Sequence, residues 1–553
     1  MTDAPPVVSA READAHREAG WWADETIADA VDAHAEQQPE RAAYQGPDPV
    51  TWTELADATR RLGAQLVDLG VEPGARVAVW FPDGPLVHLA LLAVERAGCT
   101  AVGVGARSGR REVVHLLRRT GARVVLTDAR RADDAQRAVG AVAPDGTPPL
   151  VVTLEGPAAA PRAAVGGERL PAGDATALAG RRTGADDVFL INTTSGTTGL
   201  PKCVVHTQNR WRYFHQKAVA HGALTSEDVV LAAVPAPFGF GLWTSHVTPL
   251  LLGAPTVLLE RFTPEQAGAA IERERVTVLC CVSTQFIMML TTPGLEDHDL
   301  SSLRVMFTGG EAVPYERARA FEEATGATIL QFYGSNETGL LSGTTLDDPP
   351  DRRLRTAGRV VSEMQVRLFD DGEDVTASGR GQPGCRGPAT SLGYLDDDEA
   401  NAELLTDDGW MLMGDIVEVD EDGYLTVVGR TSDLIIRGGK NISAAQVEAD
   451  VATHPEVAQV AVVAMPDPVF GERACAYVEV VAGASLELAD LVRHLVASGV
   501  SKELLPERLV VVDELPRSSG AKVAKGELRA DIRRRLEAEA AAQGPARTRE
   551  GAR

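Results

Sequence analysis

The stretch VFLINTTSGTTGLPKCVVHT, Val188 to Thr207, decides the fold. Two uncharged runs, Val188–Ile191 and Cys203–Val205, flank a segment, Thr193 to Gly199, made only of Ser, Thr and Gly. The expected local structure is strand, small-residue loop, strand. Such a loop brings backbone N–H groups and hydroxyls close to a ligand with little bulk. Lys202 adds a point charge, so a polyphosphate is the natural partner. A Walker A loop is excluded by the order of residues: it needs Gly-Lys-Ser/Thr opening a helix, whereas Pro201 precedes Lys202 and a β-rich run follows. The plain alternative, a flexible linker, fits less well because linkers of this composition are seldom framed by apolar strands.

Downstream, four more stretches suit parts of a nucleotide site. VMFTGGE, Val305 to Glu311, reads as a strand ending in a glycine turn, which lets a flat ring approach the backbone. YGSNETG, Tyr333 to Gly339, offers Glu337 as an oxygen ligand for Mg²⁺, a hard ion. DGWMLMGD, Asp408 to Asp415, sets an acceptor-only carboxylate beside a turn glycine, where it can take two hydroxyls. GRTSDLIIRGGKNIS, Gly429 to Ser443, carries Gly438-Gly439, which on its residues alone reads as a hairpin turn and, within the family resemblance given below, as part of a hinge, which needs a few residues that absorb backbone rotation. The chain then closes on LPRSSGAKVAK, Leu515 to Lys525. Only six lysines occur, at 202, 217, 440, 502, 522 and 525, against 48 arginines. Four of the six fall inside these motifs, where a compact ammonium and a planar guanidinium are not interchangeable.

TSGTTGLPK, Thr194 to Lys202, and the stretches after it resemble, in order, the motifs of the adenylate-forming superfamily: acyl- and aryl-CoA synthetases, adenylation domains of peptide synthetases, and luciferases. The resemblance runs from about residue 25 to residue 530 and favours the AMP-dependent acyl-CoA ligase branch. It implies an α/β fold: a large N-terminal domain of stacked α/β sheets, residues 1–432, and a small mobile α+β C-terminal domain, residues 433–553. By the same resemblance Thr194, Ser195, Gly196, Thr197, Thr198, Gly199 and Lys202 hold the leaving pyrophosphate. Gly309, Gly310 and Glu311 lie beside adenine and the acyl group, and Tyr333, next to Gly334, stacks on adenine. Asn336 donates to the α-phosphate, Glu337 binds Mg²⁺, Asp415 takes the ribose hydroxyls, and Arg430 faces ribose or phosphate. Asp433 is the pivot, Gly438 and Gly439 line the pantetheine tunnel with Lys440 beside them, and Lys522 is the catalytic lysine.

The implied reaction uses ATP, Mg²⁺ and a small carboxylic acid to make an acyl-adenylate; the small domain then rotates and a thiol, that of CoA, displaces AMP. Phe238, Gly239, Phe240 and Trp243, with no Arg or Lys nearby, suggest a compact apolar wall for a small aromatic or alicyclic acid. The chain departs from the family pattern in four places. Gly239 or Phe240 stands where a His often faces the carboxylate, Asn336 where Thr is usual, Met411 to Met413 where polar residues are usual, and Ala521 where Gly precedes the lysine. A positive φ at Ala521 would cost roughly 1 kcal/mol. The departures at Gly239 or Phe240, Asn336 and Ala521 keep open a carrier-protein thiol as acceptor, or nitrite activated for diazotisation of an aryl amine. A degenerate nucleotide-binding scaffold is the non-enzymatic alternative.

The 553 residues predict two or more domains. A net charge of −25 argues against a nucleic-acid partner. The six cysteines show no CxxC spacing, so no zinc site or disulfide framework is expected; they read as buried small hydrophobes in a reducing, cytoplasmic compartment. The N-terminus lacks the basic-then-apolar order of a signal peptide. Prolines 235, 237, 249 and 255 break the uncharged stretch 229–259, so no membrane span is expected. A homodimer is allowed for. Residues 25–135 alternate helical and strand patterns, as a parallel, doubly covered sheet requires. Residues 130–186 read as a surface excursion around the strand Leu150–Thr153, and residues 229–243 as a strand entering a Pro/Gly turn. Glu537 to Arg553 reads as a fraying helix and tail.

Overall fold

The computed structural model describes residues 8–142, 147–194, 201–310, 313–430, 433–437, 440–498, 500–502, 504–517 and 523–543. The chain packs into two compact units, Met1–Met413 with Glu418–Thr426, and Gly414–Val417 with Val427–Arg553. The fold is mixed α/β, with a large N-terminal and a small C-terminal part.

Capping chemistry sets the first elements. Thr26 opens the helix Ile27–Gln37 by exchanging hydrogen bonds with Asp29, a reciprocal cap that satisfies two otherwise orphaned N–H groups. Thr51 and Glu54 repeat the device at Trp52–Asp68, so the strand expected at Val50–Trp52 ends at Thr51 and Trp52 begins the helix. Pro85–Arg96 is buried continuously from Val87 to Glu95, as its nearly all-apolar surface demands.

The large unit holds two major sheets. In the first, the strands run in the order Cys203–Thr207, Val188–Thr193, Thr100–Gly103, Arg76–Trp80, Val124–Asp128, Leu150–Glu155, Arg162–Val165, Glu168–Arg169. The five from Val188–Thr193 to Leu150–Glu155 are parallel, and antiparallel strands close both edges. The excursion after residue 130 thus supplies three strands, two more than its sequence suggests. In the second sheet, Thr328–Ser335, Val305–Gly309, Val278–Cys280, Val230–Ala232, Thr256–Leu258 and Ala42–Gln45 are parallel neighbours. Loops leaving the carboxyl ends of such strands are where an open α/β sheet places its ligands. Here those loops carry residues 233–241, Gly310 and Asn336-Glu337.

One of these loops differs from its expected form. After Val230–Ala232 the chain becomes helical at Gly239, through Gly239–Leu242, a wider turn at Trp243–Val247, and Thr248–Leu252. It folds back tightly enough that a Cβ on Gly241 would lie 2.1 Å from the Pro235 carbonyl oxygen.

In the small unit, Val457–Asp467 and Gly471–Val480 pair antiparallel, and Arg508–Val511 joins in parallel. Helices Ala444–Val451 and Leu488–Ala497 cover a core that includes Ile435, Val447, Val462 and Leu491. The last helix, Lys525–Gln543, runs intact through Glu537, past the point where fraying was expected; residues 544–553 lie outside the described residues. All six cysteines are buried and free. Burial pushes the Cys99 and Cys203 thiols up to about 11 and those of Cys385 and Cys475 up to about 12. No helix among the described residues is long and apolar enough to cross a membrane.

Candidate active site

The Ser/Thr/Gly loop is gripped at its base. Strands Val188–Thr193 and Cys203–Thr207 pair antiparallel, with Thr193 opposite Cys203, and the Thr194 N–H donates to the Lys202 carbonyl at 3.1 Å. Ser195, Gly196, Thr197, Thr198 and Gly199 lie outside the described residues. The Lys202 ammonium sits 3.5 Å from Glu403 and 5.0 Å from the centre of the Tyr394 ring. Tyr394 in turn donates its hydroxyl to Glu337 Oε1 at 2.8 Å. Lys202 and Glu337, far apart in sequence, thus meet on two sides of one phenol. Burial and the Glu337 charge raise the tyrosine's pKa, so it remains a donor. The turn that carries Glu337 is fixed by Ser335 Oγ, which accepts from the N–H groups of Glu337 at 3.2 Å and Thr338 at 3.0 Å.

Behind that turn lies a buried polar chain. Asn192 and Asn336 exchange hydrogen bonds at 2.6 and 3.1 Å, and Asn192 also donates to the Pro237 carbonyl at 3.1 Å. His206 Nε2 lies 2.6 Å from Asn192 Oδ1, and its Nδ1 faces Arg210 Nη1. Arg210, only 1% exposed, donates to the carbonyls of Ala389 at 2.7 Å and Asn336 at 2.8 Å. Burial pushes this guanidinium down to about 9, with the Glu337 carboxylate favouring its charge. Sequence reading missed Asn192, His206, Arg210 and Tyr394. The available signal was polar residues at strand positions, 192 and 206, where the pattern calls for apolar ones.

The aromatic residues divide. Phe240 approaches Gly309, where a Cβ would lie 3.9 Å from its ring and 2.4 Å from the Phe332 carbonyl oxygen. Trp243 is only 2% exposed and stacks on Phe332 at 5.1 Å, with the edges of Phe240 and Phe307 against it. Phe238 turns toward Gly105, and Gly239 toward Asn336. Gly310 adopts φ +78°, a conformation that favours glycine; Glu311 lies outside the described residues. Tyr333 is half-buried in its strand, and Gly334 packs on the Gly339 carbonyl too closely for any Cβ.

In the small unit Asp415, 7% exposed, meets Arg430 at 3.1 Å. Asp433 pairs with Arg529 and, at 3.3 Å, with Lys525, whose ammonium also lies 2.7 Å from Glu448. Burial would raise the Asp433 carboxyl, but Lys525 and Arg529 outweigh it and hold it below the usual range; for Glu448 burial prevails and the pKa rises. Lys440 pairs through its backbone with Arg437, while Gly438, Gly439, Ala521 and Lys522 lie outside the described residues.

Glu337 fits a magnesium ion: it is an oxygen ligand with one oxygen held by Tyr394 and the other without a hydrogen bond among the described residues. Magnesium characteristically takes one or two carboxylates together with substrate phosphates. Among the described residues no group of three or more His, Cys, Asp or Glu could hold a metal alone.

Residues 31–395 match the model of the AMP-binding enzyme family, and residues 446–522 that of the AMP-binding enzyme C-terminal domain. A medium-chain fatty-acid–CoA ligase of Escherichia coli (strain K12) is 32% identical over 94% of this chain and 93% of its own length. A salicylyl-CoA synthase / salicylate adenylyltransferase of a Streptomyces species is 33% identical over 94% and 96%. Among solved structures, the anthranilate CoA ligase AuaEII in complex with anthranoyl-AMP superposes with a TM-score of 0.83, over 94% of this chain and 98% of that one, at 23% identity.

Proposed function

This chain belongs to the AMP-binding enzyme family, and on that premise we propose that it activates a small aromatic or alicyclic carboxylic acid with ATP and passes the acyl group to the thiol of CoA. The observation that supports this most is the Lys202–Tyr394–Glu337 assembly. It offers an ammonium beside the Ser/Thr/Gly loop and an oriented carboxylate, the two groups that a magnesium-bound triphosphate requires.

A carboxylate oxygen attacks the α-phosphorus, the bond to the β-phosphate oxygen breaks, and pyrophosphate leaves. The thiol then attacks the acyl carbonyl, loses its proton, and expels AMP. Lys202 holds the leaving pyrophosphate with Thr194, Ser195, Gly196, Thr197, Thr198 and Gly199. Lys522 stabilises charge developing at the phosphorus oxygens, and Asn336 donates toward the α-phosphate. Magnesium, when bound at Glu337, screens the phosphate charge. Tyr333 stacks on adenine, Asp415 and Arg430 serve the ribose, and Asp433 is the pivot, which sets the domain boundary at 432/433. The aromatic acid is favoured by Phe240 beside Gly309 and by the aryl acids named in two of the similar proteins. A cytoplasmic homodimer completes the reading.

The test is release of AMP and pyrophosphate from Mg·ATP with a panel of small aromatic, alicyclic and fatty acids plus nitrite, each with and without CoA. A single aryl acid that drives AMP release and yields its CoA thioester by mass spectrometry is the expected result. A strong preference for long-chain fatty acids would overturn the acid assignment. CoA-independent release, or dependence on nitrite and an aryl amine, would overturn the acceptor. Lys522→Ala is expected to lose about 10²–10³-fold in adenylation rate while still binding ATP.

A further inference from the structure

The arrangement of donors around Asn336 can be read outward from one side chain. A guanidinium has donors only, so Arg210 Nη1 donates to His206 Nδ1 and that nitrogen accepts. The ring proton therefore sits on Nε2. Burial and the charge of Arg210 both disfavour a second proton, so the imidazole stays neutral. Nε2 then donates to Asn192 Oδ1 at 2.6 Å. This fixes which end of that carboxamide is oxygen, and the other end agrees: Asn192 Nδ2 faces the Pro237 carbonyl, which can only accept. Asn192 in turn dictates the polarity of Asn336, whose Nδ2 must donate to Asn192 Oδ1 and whose Oδ1 must accept from Asn192 Nδ2. Among the described residues this leaves Asn336 with one N–H and one acceptor position uncommitted.

Gly239 completes the set. A Cβ on Gly239 would lie 2.9 Å from Asn336 Oδ1, so the carboxamide fills the space that a side chain at 239 would claim. The departures from the family pattern at 239 and 336 therefore meet in space.

Resting on the adenylation reading, we propose that Arg210, His206 and Asn192 are positioning residues that set the polarity of the Asn336 carboxamide, so that its free N–H meets an anionic oxygen of the acid or the α-phosphate. No proton moves along the chain. Without it the carboxamide can turn over with little change of shape and present a lone pair to that oxygen, which repels it.

The test is a double-mutant cycle. His206→Phe and Asn192→Leu are each made with Asn336 and with Asn336→Thr, since threonine has no carboxamide to orient. ATP–pyrophosphate exchange is measured at saturating Mg·ATP with the acid selected by the panel above, and melting temperature is recorded for every variant. In the Asn336 background each change is expected to lower kcat about ten-fold with the KM for ATP nearly constant. In the Asn336→Thr background the same changes should cost less than about two-fold, although melting temperature falls equally in both. Equal rate losses in the two backgrounds, or none in either, would overturn the relay and leave a packing role. A wild-type protein silent with every acid would instead strike the adenylation reading, and the relay with it.

Discussion

Around Asn336 in the large unit a single buried cation, Arg210, is met by two carbonyl oxygens and an imidazole; around Asp433 in the small unit two cations, Lys525 and Arg529, are met by the carboxylates of Asp433 and Glu448. In the first arrangement the groups hydrogen-bonded to the cation are uncharged, and the Glu337 carboxylate acts on it without a direct contact. This arrangement hands on direction, because each donor forces the next group to accept. The second neutralises charge, and ion pairs tolerate changes of angle that hydrogen-bonded amides do not. Directional contacts suit a group that must face a reacting oxygen, and charge-balanced contacts, which survive changes of angle, suit a segment that has to turn, as the proposed pivot at Asp433 does.

Four experiments would break or sharpen this contrast. Lys525→Met should have the largest effect, destabilising the small unit by about 3 kcal/mol, because it removes the ammonium that both Asp433 and Glu448 contact. Calorimetry that resolves two transitions should show the loss in one of them, and an unmoved small-unit transition would refute the role given to the cluster. Arg210→Met comes next. It removes an awkward buried charge but strands the Ala389 and Asn336 carbonyls and His206 Nδ1, so about 2 kcal/mol should be lost, from the large unit, in urea unfolding.

Acid should separate the two units without mutation. Burial pushes His246 down to about 3 and His215 to about 4, and holds His88 and His206 well below the ordinary value. Groups depressed in this way add stability above their unfolded value, near 6.5, and lose it as pH falls through their folded values. Burial raises Asp83 to about 7 and lifts Glu95, which works the other way as pH falls, but the four depressed imidazoles outnumber these two carboxyls, so the large unit should weaken overall from about pH 6.5 toward pH 3. In the small unit burial lowers His454. Asp433, depressed, gives up its contribution only below the ordinary carboxylate value of about 3.8. Glu448, raised, contributes most at low pH and loses that contribution as pH rises. Melting followed by pH should move the large-unit transition first, and the reverse order would contradict the assignment. Gly239→Ala should be the mildest change in stability, within about 0.5 kcal/mol, yet it crowds Asn336 Oδ1 and should lower pyrophosphate exchange about ten-fold. A normal rate in that variant would mean that the amide has room to give.

The sequence made the phosphate loop, the Glu337 turn and the alternation of strands and helices legible, because each needs particular residue types at fixed spacing. It also exposed the departures at Gly239 and Asn336, but as two separate oddities. Their contact depends on loops at the ends of Val230–Ala232 and Thr328–Ser335, strands that are distant in sequence and separated by two others in the sheet. Asn192, His206 and Arg210 stayed hidden for a related reason. A polar residue in a strand or helix normally faces water, and only the three-dimensional packing turns these inward. Trp243 is ambiguous in the other direction, since an aromatic in a glycine-rich stretch suggests a ligand wall as well as core packing, and in the structure it is buried against Phe332.

The burial of all six thiols has a practical consequence at the bench. With none of them exposed and with burial raising the pKa of Cys99, Cys203, Cys385 and Cys475, the folded protein should be nearly silent toward colorimetric thiol reagents. Free CoA could then be followed directly in the reaction mixture, and a sudden appearance of six further equivalents would report that the enzyme itself had come apart.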